Sequence, residues 1–133
     1  MGQRSRIEAF LQLAEEELEA ASWLIDRSPR QAAYLLQQSI EKMTRAILTD
    51  ADVKYGTGHN LAQMAKALPD GHPWIEKILP LDRYSPAATR YRYPTMAGRL
   101  LEPPEAEELR KDAAELAELL KEARRFLNPK SSS

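Results

Sequence analysis

A chain of 133 residues that is 43 % hydrophobic and 29 % charged has the make-up of an ordinary soluble globular protein and suggests neither a disordered nor a membrane class. A formal charge of -1 excludes binding to phosphate backbones through net charge alone, so any anion site must be a local pocket. With no cysteine, disulfides, thiol chemistry and cysteine-ligated zinc are excluded too, in keeping with a cytoplasmic location.

This length suffices to bury roughly 65 to 70 % of the unfolded surface in one core. A single helical domain is therefore expected over 1–128, with a flexible tail over 129–133 that reads Pro-Lys-Ser-Ser-Ser. The amino terminus, Met1-Gly2-Gln3-Arg4-Ser5-Arg6, runs into Glu15-Glu16-Glu17 without an apolar leader. No stretch approaches the roughly 20 apolar residues that span a bilayer.

From Ile7, the residues Phe10, Leu11, Ala14, Leu18, Ala21 and Ile25 recur every three or four positions and predict a first helix. Ser28-Pro29-Arg30-Gln31 then predicts a capping residue, a proline at the first helical position and a capping box. The second helix follows through Ala32, Leu36, Ile40, Met43 and Ile47 to about Thr49. Two glycines in Gly56-Thr57-Gly58-His59-Asn60 break the pattern, and Asn60 with Gln63 predicts the cap of a short third helix through Leu61, Met64, Ala65 and Leu68. Pro69-Asp70-Gly71 stops that helix, and a further short one from His72-Pro73 is stopped by Pro80. Ser85-Pro86 offers one more cap, but prolines keep the stretch from Pro80 to Pro104 irregular.

The last helix is the most regular, with Ala106, Leu109, Ala113, Leu116, Leu120, Ala123 and Leu127 on one face. Glu105, Glu107 and Glu108 crowd its start and Lys121, Arg124 and Arg125 its end, matching the helix dipole. No run has the period of two that marks a half-buried strand. The expected class is all-α: an antiparallel up-and-down bundle of three long helices plus short ones.

Three pieces of this sequence resemble the HEPN (higher eukaryotes and prokaryotes nucleotide-binding) domain family. Gln38-Ser39-Ile40-Glu41-Lys42-Met43-Thr44-Arg45-Ala46-Ile47-Leu48 is similar to its glutamine, Glu-Lys and basic-Ala-aliphatic pattern. Gly58-His59-Asn60-Leu61 resembles its Gly-His-polar-Leu, and Tyr84 with Arg92-Tyr93-Pro94 resembles a signature of one branch. The resemblance implies a helical dimer whose ligand is a nucleotide or RNA, often beside a nucleotidyltransferase partner in modules of the toxin-antitoxin type. Many members are metal-independent ribonucleases that carry Arg, four to six residues, then His. Neither His59 nor His72 has an arginine so placed, and Lys54 before His59 lies in a loop with the wrong side chain. The expected activity is accordingly non-catalytic, with no cofactor and no metal.

The ligand-binding candidates are Arg90, Arg92, Tyr93, Tyr84, Lys42, Arg45 and His59. Arg90-Tyr91-Arg92-Tyr93-Pro94 interleaves guanidinium groups with rings, a combination that grips phosphates and stacks bases; packed tyrosines and ion-paired arginines would give the same pattern. Gln38, Glu41, Lys42 and Arg45 share one side of the second helix, which is either a pocket wall or a solvated face. His59 is either a ligand or a residue that satisfies backbone groups at a helix start. Gly56-Thr57-Gly58 lacks the Lys-Ser/Thr ending and the preceding strand of a P-loop, and Glu-x-x-His, His-Glu-x-x-His and Gly-x-Ser-x-Gly are all missing. Trp23 and Trp74 exceed what a small bundle must bury, so one of them suggests an interface, although core packing suits each singly. Three functions follow: a non-catalytic nucleotide or RNA module, a ribonuclease rearranged around His59 and Arg92, and a pure protein-interaction bundle.

Overall fold

The computed structural model describes residues 2–128; the tail expected over 129–133 lies outside them. The elements are α1 (Gly2–Leu24), α2 (Pro29–Asp50), α3 (Leu61–Lys66), α4 (Pro73–Ile78), a 3-10 segment (Leu79–Ala88) and α5 (Ala106–Leu127). Among the described residues there is no strand, so the fold is the all-α bundle that the periodicity implies.

Helices α1 and α2 form an antiparallel hairpin closed by the Arg27 and Ser28 N–H groups, which donate to the Leu24 carbonyl. Small side chains at the contact, Ala14 and Ala21 on α1 and Ala32, Ala33 and Ala46 on α2, are buried. They let the rods approach closely enough for the Ser39 hydroxyl to donate to the Ala14 carbonyl at 2.6 Å. Helix α5 runs antiparallel to α1, with Arg110 on Asp26 at one end and Arg124 on Glu8 and Glu15 towards the other. Those two glutamates hold the Arg124 guanidinium above its ordinary value, but the pairs are partly solvated and each contributes at most about 1 kcal/mol. The stability sits in the shared core of Leu11, Leu36, Ile40, Met43, Ile47, Leu109 and Leu116, where truncating one large aliphatic to alanine costs about 2–5 kcal/mol.

Several expectations shift at this level. Helix α1 begins at Gly2, five residues before its first apolar position, because Gln3 and Arg4 tie the extra turn to the Thr49 and Leu127 carbonyls. Ser28 makes no side-chain cap, so the capping box at the start of α2 is not formed; Pro29 at the first helical position is. Helix α4 ends at Ile78, before Pro80, but the chain winds on as the 3-10 segment from Leu79, with Pro80 in its first turn where a missing N–H is least costly. Trp74 is 1 % exposed in the core whereas Trp23 is 79 % exposed, so core packing holds for the first alone. The polar face of α2 is divided: Glu41 is buried, while Gln38, Lys42 and Arg45 stay partly exposed.

Candidate functional site

A helix repeats its facing every seven residues, so Tyr34, Gln38, Glu41 and Arg45 stand in one line along α2. Glu41 is the centre of that line. Its Oε1 accepts from the Gln37 side chain at 3.1 Å and meets His59 Nδ1 at 2.7 Å, while its Oε2 accepts from Arg45 Nε at 3.2 Å. Burial by itself would raise the Glu41 carboxyl, but the bonds from His59, Gln37 and Arg45 outweigh it and hold the group below its ordinary value. The Glu41 side chain is 6 % exposed and that of His59 is 53 % exposed, so a buried anion orients a half-solvated imidazole.

His59 is presented by a loop that three separate side chains pin down. The Asn60 side chain accepts from the Gln63 N–H, Asp82 accepts from the Ala62 N–H, and the Ser85 hydroxyl accepts from the Leu61 N–H. The first turn of α3 therefore has its orphan donors satisfied, two of them by the 3-10 segment. Backbone satisfaction at this helix start is thus the work of Asn60, Asp82 and Ser85, and His59 is left to Glu41. Arg45 completes the corner by donating to the Gly58 carbonyl at 3.1 Å and lying over the Tyr55 ring.

At the other end of the line Arg92 sits between two rings, 4.8 Å from the Tyr34 centroid and 5.5 Å from that of Tyr93. Tyr34 precedes Glu41 by seven residues, which is about 10 Å of helical rise. The structure thus brings Arg92, Tyr93, Arg45 and His59 to one face. It does not bring the remaining candidates there. Arg90 lines a separate cavity with Arg83, Tyr91 and Glu108, against α5. Tyr84 is buried with its hydroxyl donated to Asp112, which also takes Arg83 at 2.6 Å; burial and the Asp112 carboxylate push the phenol well above its ordinary value. Lys42 turns to α1 and pairs with Glu17 at 2.9 Å, so it ties the hairpin together rather than lining a groove with Arg90 and Arg92. His72 caps α4 by accepting from the Trp74 N–H. Among the described residues no group of three or more acidic or histidine side chains is placed to hold a metal ion.

Two residues at this face escape a reading of the sequence. Tyr34 stands one turn before the Gln38–Arg45 run on the same face and could have been found by extending that face backwards. Glu41 as an anchor for His59 could not, because the pair is 18 positions apart, one on a helix and the other in the loop beyond its end.

The HEPN domain family model matches residues 7–126, and the chain belongs to that family of nucleotide-binding and ribonuclease-like modules. No curated protein and no solved structure matches the chain significantly. No helix among the described residues is long and apolar enough to cross a membrane.

Proposed function

We propose that this HEPN chain is a non-catalytic module that binds RNA or a nucleotide along the α2 line, in the branch marked by Arg92-Tyr93-Pro94. The observation that carries the reading is Arg92 held between Tyr34 and Tyr93 on the face that also carries Arg45 and His59. The exposed Tyr93 ring beside Arg92 suits base stacking, and the guanidinium suits a phosphate. The missing Arg-to-His spacing supports a binding role. The module works as a cytoplasmic homodimer or beside a nucleotidyltransferase in a toxin-antitoxin type of system; exposed Trp23, Met96 and Leu100 supply apolar area for such a partner. Calorimetric titration with short single-stranded RNAs and nucleoside triphosphates tests it. Arg92→Ala should weaken binding about tenfold, from loss of one stacking contact. Absence of binding to the wild type, or binding that Arg92→Ala leaves unchanged, removes the reading.

One observation favours a second reading, a metal-independent ribonuclease. Glu41 holds His59 by Nδ1, and Nε2 has no partner among the described residues, the arrangement in which an imidazole works as a general base on a 2′-hydroxyl. Incubation with RNA in chelator decides: cleavage by the wild type and none by His59→Ala supports the enzyme, and intact RNA with both rejects it.

A further inference from the structure

Beyond Arg45 the α2 line runs into a cleft of about 320 Å³ between the start of α1 and the turn that follows α2. Its walls carry Arg6 and Phe10 from α1, Arg45 from α2, and Asp52, Lys54 and Tyr55 from the turn. Arg6 and Lys54 face one acid there, Asp52, and Arg45 is already paired with Glu41, on a chain whose formal charge is -1. Among the described residues neither Arg6 nor Lys54 has a carboxylate partner; Arg6 lies over the Phe10 ring at 4.9 Å and Lys54 has no side-chain bond. Gly2 and Gln3, in the first turn of α1, also line the cleft, and that turn contains no acidic residue. Its N–H groups lack intrahelical acceptors and the helix dipole adds partial positive charge at the same spot.

The volume is at the lower end of the roughly 300–1000 Å³ of small-ligand sites. That is room for one ring and one phosphate group. The Tyr55 ring, backed by the Arg45 guanidinium at 5.9 Å, offers a stacking surface, and the free cations lie across the cleft from no more than one carboxylate. Arg45 belongs both to the α2 line and to the cleft wall, so the two surfaces are continuous.

We propose that this cleft receives the phosphorylated terminal nucleotide of a single strand lying on α2, the base against Tyr55 and the terminal phosphate on Arg6 and Lys54. The strand's course rests on the RNA-binding reading above; the cleft's own capacity for a phosphorylated nucleoside does not. The module therefore distinguishes a phosphorylated RNA end from a hydroxyl end.

The test uses the full chain and one short RNA made with a 5′-phosphate, with a 3′-phosphate and with neither, together with AMP and adenosine. One of the phosphorylated ends should bind about tenfold more tightly than the unphosphorylated strand, and AMP more tightly than adenosine. Arg6→Ala and Lys54→Ala, both at exposed positions, should each erase that preference, whereas Arg92→Ala should weaken all three RNAs alike and preserve it. AMP binding that a phosphorylated RNA fails to displace would assign the cleft to a free nucleotide and overturn the end-recognition claim. Equal affinity for all three RNAs, or a preference that survives both cleft substitutions, overturns the inference and leaves the α2 reading standing. If no RNA binds, the α2 reading falls, and with it the strand's path into the cleft.

Discussion

Two buried carboxylates do the same mechanical job in this bundle and end in opposite states. Asp112 on α5 clamps the 3-10 segment through Arg83 and Tyr84, and Glu41 on α2 clamps the His59 loop through His59 while also taking Arg45. Around Asp112 the phenol is buried with its hydroxyl on the acid, and Arg83, itself half-exposed, spends its two terminal nitrogens on Asp112 and the Pro80 carbonyl. Around Glu41 one partner remains half in solvent with a ring nitrogen unbonded. The lesson is that Asp112 engages the polar atoms of both its partners, whereas Glu41 leaves the far side of the ring it orients open.

Four substitutions break or sharpen the contrast. Asp112→Ala should have the largest effect, about 3 kcal/mol of stability in urea titration, since it strands a buried phenol and removes the anchor of Arg83. Glu41→Gln should cost about 1–2 kcal/mol at neutral pH, because the bonds to His59 and Arg45 lose their anionic acceptor. It should also flatten the acid limb of the stability profile. The Glu41 carboxyl is a stronger acid folded than unfolded, so its contribution is complete well above the ordinary value of 4.5 and is lost as the pH falls through and below it. An acid limb as steep in Glu41→Gln as in the wild type would show that the carboxylate does not carry it. Asp82→Ala should cost about 1 kcal/mol by uncapping α3, and the His59 ring resonances in NMR spectra should shift although His59 is untouched. Arg90→Ala should change stability by less than about 0.5 kcal/mol and leave RNA affinity as it was, in contrast with Arg92→Ala, because Arg90 is exposed and faces α5. A matching loss from both arginines would mean that they act on one ligand after all.

The long helices were legible in the chain because their signal is local. Leu109, Leu116, Ala123 and Leu127 announce α5 by spacing alone, and its charged ends agree with its polarity. Asn60 announces its own cap in the same way. What was not legible depends on partners far along the chain. Glu41 reads as surface until His59 and Arg45 close over it, Tyr84 reads as a ligand until Asp112 takes its hydroxyl, and Arg90 and Arg92 read as one pair until the backbone turn sends them to different helices. The cleft around Arg6 and Lys54 has no sequence motif, because the start of α1 and the turn after α2 are separated by the whole hairpin.

The unequal burial of the two indoles gives this molecule a pair of built-in optical reporters. Trp74, packed in the interior beside Phe126, should emit at short wavelength and resist iodide, and its signal should follow unfolding. Trp23, almost wholly bathed in water near the end of α1, should emit further to the red and be quenched readily. Loss of that quenching on adding a second protein would reveal docking at this end of the hairpin without any label.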